Sequence, residues 1–203
     1  MAEFKQTVLM TQLDDEQGRI WQSALISQEI EVLWEASDTD LVELLKSMQA
    51  NGIAMPDLLL MDMAIKSPNS QILQSGLVCQ WCAKNEPKLK VVLFNPRQDK
   101  IKEVERGWAI RRGAVDVLPK LYQSNLLSSV KRVVDEIRAP WLEERLEALV
   151  ESAPTDESAS SPISEVPTGK SGDITKAATS SESTNKSNKP SGMIYRGVRV
   201  KKS

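Results

Sequence analysis

At 203 residues the chain is long enough for one domain of ordinary size with segments to spare, and its 40% apolar residues supply a core. A formal net charge of −2 gives no overall pull toward nucleic acid or anionic membranes; no charge-free apolar run of about 18 residues marks a transmembrane helix, and the N-terminal MAEFKQ lacks a signal-peptide core. Two cysteines do not make a disulfide scaffold, so a cytoplasmic protein is expected, and the absence of histidine excludes Ser-His and Cys-His catalysis, histidine metal ligands and a histidine pH switch.

In chain order, TVLM (Thr7–Met10) predicts a strand, and Arg19–Gln28 a helix with Ile20, Trp21, Ala24 and Leu25 near one face. EVLWEA (Glu31–Ala36) predicts a second strand. Asp38 or Thr39 is placed to cap a helix carrying Leu41, Leu44, Leu45 and Met48, which Asn51-Gly52 stops. LLLMD (Leu58–Asp62) predicts a third strand, continuous in hydrophobicity as expected when both faces are covered. Asn69 or Ser70 is placed to cap a helix reaching about Ala83. VVLF (Val91–Phe94), a helix over Lys100–Arg111 ended by Gly113, VDVL (Val115–Leu118) and a helix over Ser124–Arg138 complete the series. Strands and helices in alternation predict a parallel sheet with helices on both faces and right-handed crossovers. In such sheets ligands sit beyond the carboxyl ends of the strands, which is where Asp62 closes its apolar run.

Four segments follow from composition. Residues 1–138 form the α/β domain. Residues 139–151, APWLEERLEALVE, predict a further amphipathic helix with Pro140 in its first turn and Trp141, Leu142, Leu146, Leu149 and Val150 as an apolar stripe. That stripe either folds back onto the domain or pairs with a second copy or a partner. Residues 152–191, rich in Ser, Thr, Pro, Lys, Glu and Gly, predict a disordered linker. Residues 192–203 alternate like a strand and carry Arg196, Arg199, Lys201 and Lys202 without an acid.

Three pieces in order, PDLLLMD, VVLFN and GAVDVLPK, make residues 6–138 resemble the receiver domain of bacterial two-component response regulators. The resemblance implies a flavodoxin-like five-stranded sheet, a partner histidine kinase, and an aspartate that accepts a phosphoryl group beside Mg²⁺. Asp62 matches the acceptor, Lys120 the phosphoryl-binding lysine, and Asp57 and Gly113 framework positions; Asn95 stands where the family has Thr or Ser. Val117 stands where the family's switching aromatic falls, and Leu121 replaces the proline that usually follows the lysine. The acidic pair that would hold Mg²⁺ falls on Gln12 and Leu13, or on Leu13 and Asp14, with Asp14, Asp15 and Glu16 one to three residues late. The metal set is therefore read as Asp14, Asp15 and Asp62. The pattern is similar to pseudo-receivers, which keep the fold and bind proteins without regulated phosphorylation; in that reading Asp62 pairs with Lys120. With no histidine, the chain cannot be its own histidine phosphodonor.

Cys79-Gln80-Trp81-Cys82 lies mid-helix and reads as a pair of structural cysteines, with a reversible disulfide as the alternative. Trp108, Arg111 and Arg112, together with Trp141, are candidates for a partner face, because Trp and Arg are enriched at interaction hot spots. The tail MIYRGVRV weakly resembles a Tyr-Arg-Gly motif near the ends of some cyanobacterial proteins, and Tyr195 and Arg196 are its docking candidates, adding a strand to a partner's sheet. No helix-turn-helix follows, so sequence-specific DNA binding is not expected. No nucleophile–base pair or phosphate loop appears, so an enzyme is not expected either. The expectation is a signalling protein that works through protein contact, with a homodimer and phosphorylation of Asp62 both left open. A structural adaptor that captures a large complex through its basic tail is the alternative.

Overall fold

The computed structural model describes residues 6–68, 70–150 and 153–155. The strands are β1 (Thr7–Thr11), β2 (Glu31–Glu35), β3 (Leu58–Asp62), β4 (Lys90–Asn95) and β5 (Asp116–Pro119); the helices are α1 (Asp15–Ser27), α2 (Leu41–Ala50), α3 (Gln74–Asn85), α4 (Glu103–Arg112), α5 (Leu126–Glu136) and α6 (Glu143–Val150). All strands are parallel and ordered β2-β1-β3-β4-β5, so the flavodoxin-like reading is correct. Strand order reverses between β1 and β3, and Asp62 ends β3 at that switch point.

Alternation along each strand divides the core. Val8, Met10, Leu58, Leu60, Val92, Phe94 and Leu118 face α1 and α5, and Trp21 meets Phe94 edge to face at 5.8 Å. Leu9, Leu59, Met61, Val91, Leu93 and Val117 face α2, α3 and α4. Every residue of β3 is buried, which is why its sequence is apolar without alternation.

Helix starts differ from the sequence reading where caps are concerned. Helix α1 begins at Asp15, four residues earlier than expected, because the Asp14 carboxylate accepts hydrogen bonds from the Glu16 and Gln17 N–H groups. The cap of α2 is Asp40, not Asp38 or Thr39. Helix α3 begins at Gln74; Ser70 instead belongs to a turn, its N–H donating to the Ser67 carbonyl, and Asn69 lies outside the described residues. What fixes this start is the Gln74 side chain, which donates to the Thr39 and Lys66 carbonyls and accepts from Leu41 N–H.

Two glycines allow close approach. A Cβ on Gly18 would lie 2.4 Å from the Trp34 ring, so with any larger residue the Trp34 side chain must move for α1 to keep its seat on the edge strand. Gly113 ends α4 at φ +106°, and a Cβ there would come within 3.0 Å of the Cys79 carbonyl.

Helix α6 folds back on the α1/α5 layer. The Gln28 side chain donates to the Leu142 carbonyl and accepts from its N–H, Arg145 pairs with Glu29 at 2.7 Å, and Leu146 is fully buried. The predicted linker starts too early: Ala153 is buried in the same core and the Pro154 carbonyl accepts the Gln123 N–H, so the chain still packs on the domain there. The residues from 156 onward, including the basic tail with Tyr195 and Arg196, lie outside the described residues.

Candidate functional site

β1 ends at Thr11, paired with Met61, and β3 ends one residue later at Asp62, so Gln12, the first residue past β1, and Asp62 both lie at the carboxyl edge of two adjacent strands. Both are buried, Gln12 at 3% and Asp62 at 0% exposure. Asp62 Oδ1 accepts the Ala64 N–H at 2.8 Å, an Asx-type turn that starts the β3–α3 loop. Asp62 Oδ2 and both polar atoms of the Gln12 amide have no hydrogen-bond partner among the described residues. Burial holds the Asp62 carboxyl above the ordinary carboxylate range; the Ala64 and Leu13 N–H groups and the Arg97 guanidinium oppose that, and Asp14 adds to it.

The other predicted pocket residues are turned elsewhere. Asn95 accepts the Arg97 N–H at 3.2 Å and reaches Glu105 at 3.4 Å, so its amide serves the β4–α4 loop. Lys120 is held by its backbone: its N–H donates to Gln98 and its carbonyl accepts from Asn125. Its ammonium lies 5.2 Å from the centre of the Tyr122 ring, and among the described residues no ion pair joins it to Asp62. The Lys120–Asp62 ion pair is thus replaced by a cation–π contact.

The acids at the start of α1 serve that helix. Asp14 caps it, and Asp15 and Glu16 lie exposed in its first turn, where they complement the helix dipole. Among the described residues no three Asp, Glu or Cys side chains converge as a metal-ligand set. A divalent cation needs several oxygen ligands at once, with carboxylates prominent. Here Asp14 is engaged as the α1 cap and Asp15 lies exposed in the first turn, so the expected acids do not form a set with Asp62 and the residues present do not fit Mg²⁺ as arranged.

No family model matches this chain, and no curated protein matches it. Among solved structures it is similar to the signal receiver domain assigned to a Luxo repressor protein from Vibrio parahaemolyticus, at 16% identity and TM-score 0.50, covering 72% of this chain and 97% of that one. A response regulator from Thermotoga maritima aligns at 16% identity and TM-score 0.49, covering 66% of this chain and 98% of that one. A DNA-binding response regulator of the LuxR family from Staphylococcus aureus aligns at 10% identity and TM-score 0.49, covering 65% and 98%. The chain has the fold of a response-regulator receiver domain.

Within this receiver fold, sequence reading missed Gln17. Its amide donates to the Leu121 carbonyl at 3.2 Å and accepts the Leu121 N–H at 2.8 Å, tying the start of α1 to the loop after β5. It also missed Glu105, which takes both Asn95 and Gln98 amides. Only the polar character of Gln17 within an apolar helix face could have signalled its role. The partner-face candidates do not form one surface. Trp108 packs on the α2/α3/α4 side with the Arg112 guanidinium 5.6 Å from its ring, near Gly76 of α3, and Arg111 is exposed. Trp141 packs on the opposite layer, with Lys131 5.8 Å from its ring.

Cys79 and Cys82 are buried free thiols in α3, pushed up to about 11 and about 12 by burial. No described helix is long and apolar enough to cross a membrane.

Proposed function

We propose that this chain is a receiver-fold signalling module that acts by binding protein partners, with Asp62 kept as a buried carboxyl and not loaded with Mg²⁺ for phosphoryl transfer. The observation that carries this is the state of two buried polar side chains at the ends of adjacent strands: Asp62 has an unpartnered carboxylate oxygen, and the Gln12 amide is unpartnered at both polar atoms. A phosphoaspartate adds charge at this point. The expected cation, Lys120, lies over Tyr122, and the expected metal acid, Asp14, caps α1, so of the charges described it is Arg97 that offsets negative charge at Asp62. Signalling by such a module rests on its surfaces and not on a chemical change at β3.

Incubating the protein with Mg²⁺ and acetyl phosphate and recording the intact mass tests the proposal. The expected result is an unchanged mass. A stoichiometric phosphoryl adduct that is absent from Asp62→Asn would overturn it and establish the phosphoacceptor reading, with a histidine kinase as the natural partner.

A further inference from the structure

The groove between α4 and α5 holds a cleft of about 470 Å³ away from Asp62. Arg106 from α4 and Arg132 from α5 both lean on one carboxylate, Asp116 at the start of β5. The sharing is unequal: Arg106 Nη2 is 3.6 Å from Asp116 Oδ1, while Arg132 is in direct contact with Oδ2. Asp116 is 8% exposed and also accepts its neighbour's N–H from Val117, whereas the two arginine side chains are 34% and 39% exposed. Each guanidinium carries five N–H donors, and one carboxylate has about four acceptor positions. Most of the donor capacity therefore stays open to the cleft.

The rest of the lining agrees. Lys100 adds a third cation at the rim. Asp99, the second carboxylate, accepts the Tyr122 hydroxyl at 2.7 Å. Three cations against two carboxylates leave the cleft one positive charge in excess. Ser129 lines it at 3% exposure. Ile101 and Pro119 supply apolar wall.

We infer that this cleft is an anion site for a single carboxylate carried next to an apolar group. Arg106, Arg132 and the Ser129 hydroxyl bind the carboxylate, and Ile101 and Pro119 take the apolar neighbour. One excess charge matches a monoanion. The carboxylate belongs either to an acidic side chain of a protein segment or to a free small acid. The first source would give the proposed signalling module the chemistry of its partner and rests on that reading; the site itself does not.

The test is titration of the full-length ¹⁵N-labelled chain, followed by NMR, with acetyl-leucyl-glutamyl-leucine amide, with its glutamine counterpart, and with butyrate. The glutamyl peptide should shift the amide signals of Ser129 and Arg132, the glutamine peptide should bind about tenfold more weakly, and Arg132→Gln should cost about tenfold in affinity, as expected for a charge-assisted hydrogen bond. Added salt should weaken binding. Tighter binding of the peptide than of butyrate assigns a protein segment, and equal binding a free acid. Equal binding of the two peptides, unchanged affinity in Arg132→Gln, or no shift at the cleft with either carboxylate would overturn the inference. If Arg132→Gln loses its dispersed spectrum, Arg106→Gln takes its place under the same criteria. No phosphoryl chemistry enters the readout, so an adduct on Asp62 would overturn the proposed function and leave this site standing.

Discussion

Replacing Asp62 by Asn should stabilise the protein at neutral pH and leave it unchanged in acid. The Ala64 N–H keeps an acceptor either way, because the amide oxygen can take the place of Oδ1. The oxygen that changes is Oδ2, which is buried and unpartnered. An unsatisfied buried acceptor costs about 1–3 kcal/mol, with charged groups at the upper end. The uncharged amide that replaces it avoids the cost of holding an ionised oxygen there without a partner. A gain of about 1–3 kcal/mol corresponds to roughly 2–12 °C in Tm for a domain of this size. The pH dependence fixes the cause. The folded-state pKa of Asp62 is raised above its unfolded value near 3.8, so the native state holds the proton longer than the unfolded chain does. Stability from this group is fully present below that value and is lost as pH rises through the folded pKa. Urea denaturation of both proteins from pH 4 to pH 8 should show a difference that grows with pH and then levels. A less stable variant at pH 7, or a constant difference across the range, would refute the reasoning.

Three further outcomes follow from packing. Gly18→Ala should lose about 1–3 kcal/mol in urea unfolding, because its methyl would meet the Trp34 ring at 2.4 Å; wild-type stability would mean that Trp34 swings aside freely. Leu146→Ala should lose about 2–5 kcal/mol and keep a single unfolding transition, as a fully buried core leucine does; a loss below about 0.5 kcal/mol would show that α6 is not part of the folded unit. Cys79 and Cys82, pushed up to about 11 and about 12, should resist a thiol-specific disulfide reagent at pH 8 until the chain is unfolded in urea; rapid labelling of native protein would contradict their burial.

The strands were legible because burial writes itself into composition. LLLMD is buried on both faces and reads as one apolar run, and the alternation of short runs with amphipathic stretches fixes the parallel sheet. Helix starts were harder, because an acidic residue before a helix is equally a cap and a ligand candidate. Asp14 and Asp15 read as metal acids, whereas Asp14 caps α1 and Asp15 sits in its first turn. The start of α3 was illegible in the local sequence, since Gln74 fixes it through groups as distant as Thr39 and Leu41. At the site, Asp62 was readable from its place at the end of β3, and Gln12 fell on a position of the expected acidic pair; that its amide is buried without a partner was not readable, because the folded sheet sets that burial. The orientation of Lys120 was beyond reach for a different reason. A long flexible side chain can turn to an aromatic ring as well as to a carboxylate, and position in the chain does not choose between them.

The seating of α6 has a consequence for how the protein is made. Gln28, near residue 30, is matched to Leu142, 114 positions later. During synthesis, then, the inner face of α1 waits for the far end of the domain before its last contacts can close. Closing so long a loop slows folding and leaves apolar surface uncovered in the meantime. A ribosome pausing after α5 would hold out a nearly complete sheet with one flank still bare, the stage at which a chaperone or a second nascent chain has most to grip.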